Sequence, residues 1–166
     1  MAHPPHTVLA HCDGFHRHFL TICTHARTRH FVDAGSVDAT RLLIFHTARE
    51  RDVAVLAYCF MPDHLHLVIE GVTENADPRK FVAFAKQRTG YMFARRTGQH
   101  LWQRNYFDRT LRNEDSLAAV VRYVIDNPIR AGLVSAPDAY PYWGSGVYSR
   151  QGLLEFVGST KSTWRP

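Results

Sequence analysis

Two apolar runs, Val53 to Phe60 and His64 to Glu70, are separated only by Met61-Pro62-Asp63, and this narrows the folds open to the chain more than any other feature. The separating tripeptide has the composition of a tight turn, so the runs are expected to pair as an antiparallel hairpin. Other elements fall in order around it. His18 to Thr24 alternates Phe19, Thr21 and Cys23 against Leu20, Ile22 and Thr24, the pattern of a strand partly covered on both faces. A helix follows, capped by Ser36 or Asp38 and turning Leu42, Leu43, Phe45 and Ala48 toward a core before the charged stretch Arg49 to Asp52. After the hairpin, Asp77-Pro78 gives the cap and first turn of a second helix, with Phe81, Phe84, Ala85, Arg88 and Met92 at helical spacing up to Gly98. Leu101 to Arg112 reads as extended. Asn113 or Asp115 then caps a third helix through Leu117, Val121, Val124 and Ile125, which Asn127-Pro128 stops.

Strand, helix, strand, strand, helix, strand, helix is the order of a split βαβ. The expected class is therefore α+β, a ferredoxin-like antiparallel sheet with helices packed on it. A length of 166 residues with 45% hydrophobic content suits a single domain with a real core. Within it, residues 1–14 are set apart as a mobile N-terminal segment and 15–134 as the functional domain. Residues 135–166, rich in Pro, Gly, Tyr and Trp, are expected to form an irregular aromatic extension.

A formal charge of +5 and a pI of about 9.4 favour a polyanionic partner. Nucleic acid comes before acidic membrane, because no basic amphipathic helix stands beside an apolar anchor. No apolar stretch approaches the roughly 20 residues of a membrane span. The N-terminus lacks the basic start and apolar run of a secretory signal, so a soluble cytoplasmic protein is expected. Cys12, Cys23 and Cys59 are odd in number and lack CxxC spacing, which argues for reduced thiols over a disulfide framework or a cysteine zinc site.

Alternate side chains of a strand share a face, so His64 and His66 in HLHLVIE project together, their Cα atoms roughly 6.5–7 Å apart, a spacing that suits one metal ion. Leu65, Leu67 and Ile69 point the other way. A lone His-x-His can equally decorate a half-exposed strand. Tyr123 and Asn127 stand four residues apart and share a helical face; alone they equally describe a core aromatic and a helix C-terminal residue. Packed over the two His, they place a phenol beside a metal with two nitrogen ligands and one oxygen ligand. Asp63 reads first as a turn residue and second as a partner for a ligand imidazole. From Arg79 to Arg112 nine basic residues face one acid, Asp108. Lys86, Arg88, Arg95, Arg96, Arg104 and Arg109 are the candidate DNA contacts there, with Tyr91, Phe93, Trp102, Tyr106 and Phe107 interleaved as surfaces for unpaired bases.

The segments MPDHLHLVIE, LWQRNYFDRTLRNEDS, YVIDNPIRAGLV and APDAYPYWGSGVY run in one register between about Phe15 and Tyr148. Together they resemble the single-tyrosine HUH (IS200-like) transposases, and most closely the branch of REP-associated tyrosine transposases; HUH denotes His, hydrophobic residue, His. The resemblance implies that Tyr123 is the nucleophile, that His64 and His66 are metal ligands, and that Asn127 is the third protein ligand where the wider family often has Gln. It implies Mg²⁺ or Mn²⁺ as cofactor and single-stranded or hairpin DNA of palindromic repeats as partner. A 5′-phosphotyrosine intermediate, a bacterial source, action at the nucleoid and a monomer in preference to a dimer are implied as well. A histidine-triad hydrolase is excluded, because its third His position is Val68. The alternative is a nucleic-acid-binding protein that keeps this scaffold and cuts nothing.

Overall fold

The hairpin forms where its turn residues lie. β2 (Val53–Met61) and β3 (His64–Gly71) pair antiparallel, with Met61 opposite His64 across Pro62-Asp63. The surrounding architecture comes from a computed structural model that describes residues 14–112, 115–161 and 163–166. The expectation for residues 1–14, and that for Cys12, therefore falls almost wholly outside the described residues. β1 (Arg17–Cys23) pairs with β3 on one side and with β4 (Phe107–Thr110) on the other, giving an antiparallel sheet of order β4-β1-β3-β2-β5. The first four strands thus have the ferredoxin-like arrangement, and the two-residue β5 (Trp143–Gly144) extends it at the β2 edge. Of the predicted extended stretch Leu101–Arg112, only β4 and a single bridge between Thr24 and Trp102 join the sheet.

Period-two alternation divides the sheet into two cores. Leu20, Ile22, Phe60, Leu65, Leu67 and Ile69 face α1 (Ala34–Glu50) and α2 (Pro78–Thr97). Phe19, Cys59, Met61 and Val68 face α3 (Leu117–Ile125) and α5 (Arg150–Val157). A bulge between Val55 and Ala57 places Leu56 as well as Ala57 in this second core.

The helix ends correct two expectations. α1 is capped by Asp33, whose Oδ1 accepts from the Ser36 amide at 2.8 Å, and not by Ser36 or Asp38. Its buried stripe is Val37, Thr40, Ile44, Thr47 and Ala48, while Leu42 is 60% exposed. Thr40 and Thr47 can be buried because each hydroxyl donates to a carbonyl one turn back, those of Ser36 and Leu43, so a functionally apolar face looks polar in sequence. α2 begins and ends as expected: Asp77 caps it, Pro78 opens it, and Gly98 closes it at φ 72°. Met92 points outward and Phe93 inward. α3 is capped by Ser116 through the Ala119 amide, whereas Asp115 is engaged elsewhere and Asn113 lies outside the described residues. After Asp126 the chain continues into the single turn α4 (Asn127–Arg130), since a proline in a first turn forfeits no helical hydrogen bond.

The segment after Ser135 is more regular than its composition suggests. β5 pairs with β2, and α5 buries Leu153 and Val157 in the second core. Tyr140 Oη donates to Phe60 O at 2.6 Å and Trp143 Nε1 donates to Pro137 O at 2.8 Å, so these large rings are buried with their polar atoms satisfied. Among the described residues no helix is long and apolar enough to cross a membrane.

Candidate active site

The period of β3 puts His64, His66 and Val68 on the face covered by α3. There His66 is buried, and its Nε2 lies 3.2 Å from Nε2 of His64. The far nitrogens are held by neighbours. His64 Nδ1 pairs with Asp63 Oδ1 at 2.6 Å, and His66 Nδ1 with Thr21 Oγ1 at 2.9 Å across the β1–β3 pairing. Asp63 is held in turn by Arg27 Nε at 3.0 Å. Both rings are thereby oriented with Nε2 toward one point, the role that supporting hydrogen bonds play around metal-ligating imidazoles.

Burial favours the neutral ring at both positions. Desolvation lowers the His64 pKa, partly offset by the Asp63 carboxylate. Desolvation holds His66 well below its ordinary value, reinforced by His64 and Arg130 and partly opposed by a hydrogen bond that the Asn127 side-chain oxygen accepts from the ring. Neutral imidazole is the form that binds metal.

Tyr123 reaches the site from α3. Its ring centroid lies 6.0 Å from that of His66, 5.7 Å from Phe19 and 5.2 Å from Trp164, all edge-on, and the Arg130 guanidinium carbon is 3.8 Å from it. Asn127, one turn further along, is buried and donates Nδ2 to Tyr123 O at 3.0 Å. With Nδ2 so committed, the atom it turns to His66 is its carbonyl oxygen. His64, His66, Tyr123 and Asn127 are therefore brought together although nearly sixty residues separate the two pairs.

The donor set fits a divalent cation. Two ligands about 2.1 Å from an octahedral ion in adjacent positions stand about 3 Å apart, close to the separation of the two Nε2 atoms. Two imidazoles plus an amide oxygen suit Mg²⁺ or Mn²⁺, with the nitrogens favouring Mn²⁺. Among the described residues no third His, Cys, Asp or Glu completes a cluster with the pair, and Asn127 is the buried amide oxygen beside it.

The basic residues divide differently. Lys86, Arg88, Arg95 and Arg96 lie on α2, across the sheet from the imidazoles. Lys86 donates to the carbonyls of Gln103 and Arg104, Arg88 pairs with Glu50, and Arg96 donates to Ser36. Arg95 lies along Tyr91 on the exposed face, and Arg104 is exposed in the loop before β4. Arg109, opposite Phe19, is on the imidazole side, 3.1 Å from Asp115 and over the Trp164 ring.

Thr21, Phe19 and Trp164 had no signal of their own in the sequence. Alternation places Thr21 and Phe19 on one face of β1, but only the β1–β3 register aligns Thr21 with His66. The Trp164 indole donates to Asp115 Oδ1 at 3.0 Å and packs 4.9 Å from Phe19, so the chain's last residues lie beside the tyrosine.

The family model described as "Transposase IS200 like" matches residues 13–127. A curated protein of Haemophilus influenzae, named as a REP-associated tyrosine transposase, is 26% identical over 142 residues, 75% of this chain and 77% of the relative. A solved structure of a REP-associated tyrosine transposase bound to a REP hairpin superposes with a TM-score of 0.68 at 19% identity, covering 86% of this chain and 82% of that one. A transposase structure from Deinococcus radiodurans gives a TM-score of 0.52 at 19% identity, covering 73% and 97%.

Proposed function

Because the chain belongs to the IS200-like transposase family, we propose that it cuts and rejoins single-stranded DNA at hairpin-forming repeats, with Tyr123 as nucleophile. The observation that carries this reading is the juxtaposition in one chain of the Tyr123 ring, 6.0 Å from that of His66, with two Nε2 atoms 3.2 Å apart. The hairpin specificity is taken from the relative solved with its REP hairpin.

Each residue has a defined task. His64, His66 and Asn127 hold Mg²⁺ or Mn²⁺, and Asp63 and Thr21 keep the two imidazoles turned inward. The ion, when bound, polarises the scissile phosphate and stabilises charge on its oxygens. Tyr123 attacks phosphorus in line: the Oη–P bond forms, the P–O3′ bond breaks, the phenolic proton leaves to water and the departing 3′-oxygen takes one up. The product is a 5′-phosphotyrosine and a free 3′-hydroxyl. That linkage retains the energy of the phosphodiester, so a 3′-hydroxyl can reverse the step and join strands without ATP. Because Tyr123 sits beside its own chain's imidazoles, the reaction is proposed to run in a monomer, which light scattering with and without DNA checks.

The test incubates protein with end-labelled hairpin oligonucleotides and Mn²⁺ and resolves the products on a denaturing gel. A covalent adduct is expected with the native chain and none with Tyr123→Phe. Hairpin binding with no adduct, across a broad series of hairpins, identifies a binding protein that does not cut.

A further inference from the structure

We propose that Arg130 binds the phosphate that Tyr123 attacks, so that one guanidinium both fixes the nucleophile's ring and holds its target. This inference rests on the reading of Tyr123 as nucleophile and assigns a residue that the motif leaves without a role. Two contacts define its pose. The guanidinium carbon lies 3.8 Å from the Tyr123 ring centroid, and Nη2 donates to Tyr123 O at 3.1 Å. The same carbonyl accepts from Asn127 Nδ2 at 3.0 Å, so nucleophile, third donor and cation are tied at one backbone atom.

The placement suits a phosphate. A phenolic oxygen stands about 2.8 Å from its ring centroid, so phosphorus bonded to it comes within about 5 Å of a cation stacked on that ring, within range of a charge-assisted Arg–phosphate contact. A guanidinium carries five N–H donors in a planar fork, and one of them meets the Tyr123 carbonyl. Arg130 is also exposed on its outer side, where a strand can approach. Its neighbours in charge are differently employed. Asp126, four residues earlier, is held by Arg122 at 2.7 Å, and Arg165 donates Nη1 to Trp164 O at 2.9 Å.

During attack the phosphate gathers negative charge, so a fixed cation stabilises the transition state more than the ground state. The test measures single-turnover adduct formation at saturating hairpin and Mn²⁺ for the native chain, Arg130→Lys, Arg130→Gln and Arg130→Ala. Arg130→Ala and Arg130→Gln are expected to lose about 100-fold in rate or more, with hairpin affinity within about threefold and Mn²⁺ affinity unchanged, and Arg130→Lys to recover part of the loss. The decisive arm replaces the scissile phosphate by an uncharged methylphosphonate: the native chain loses its advantage over Arg130→Gln on that substrate. An undiminished rate in the variants, or the same loss on charged and neutral phosphates, overturns the assignment. Absence of any adduct in the native chain overturns the nucleophile reading itself, which the native control distinguishes.

Discussion

The two faces of the sheet are made from alternate residues of the same strands, and they are built on opposite principles. Toward α1 and α2, Leu65, Leu67, Ile69 and Phe60 need only volume and dryness. Toward α3, His64 and His66 interrupt the apolar pattern, and each imidazole has a specific partner on both nitrogens. A buried polar group is tolerable only when it is hydrogen-bonded. The second face therefore requires correct long-range register where the first requires little more than correct periodicity. One face supports; the other carries the candidate site.

Mutations can break this contrast. Tyr123→Phe removes one oxygen from the α3 face and is expected to lower adduct formation at least about a thousandfold while hairpin binding, by gel shift, stays within about twofold. Phe60→Ala on the opposite face does the reverse. Its ring packs against Phe31 and Tyr58, so its loss is expected to cost about 3–5 kcal/mol in urea unfolding, with the adduct rate per folded molecule unchanged. Asp63→Asn weakens the hold on His64 and is expected to lower Mn²⁺ affinity about 10- to 100-fold by calorimetry, with little change in unfolding midpoint.

How much of this was readable beforehand follows the same division. The hairpin, both ends of α2 and the shared face of His64 and His66 were legible because turn residues, Asp77-Pro78, Gly98 and period two act within a few residues. The Asp33 and Ser116 caps were missed because several capping residues compete there and tertiary packing chooses among them. The buried Thr40 and Thr47 disguised the core stripe of α1. β5, α5 and the seat of Trp164 depend on distant partners, respectively Tyr58 and Cys59, α3, and Phe19 with Tyr123. In the site, the two halves were visible as motifs, but the support from Thr21 and Arg130 exists only once β1 and α4 are placed.

Two smaller effects sharpen the comparison. Burial raises the Asp115 carboxyl, but the Arg112 amide, the Trp164 indole and the Arg109 charge outweigh it and hold its pKa below the ordinary value. A depressed carboxyl stabilises the fold above its unfolded pKa, about 3.9, and loses that contribution as pH falls through the lower folded value. Tryptophan fluorescence is thus expected to report loosening of Trp164 below about pH 4, and Asp115→Asn to remove that transition. Arg95→Ala, on the exposed side of α2, tests whether the substrate also reaches the supporting face. If it does, hairpin affinity falls alike for all sequences and the salt slope shrinks by about one.

The central claim is that two imidazoles from β3 share one ion beside Tyr123, and pulsed electron paramagnetic resonance of bound Mn²⁺ addresses it directly. The native chain should show hyperfine coupling to two imidazole nitrogens, reduced to one in His64→Ala. A Mn²⁺ signal with no imidazole coupling, or one that His64→Ala leaves unchanged, would contradict it.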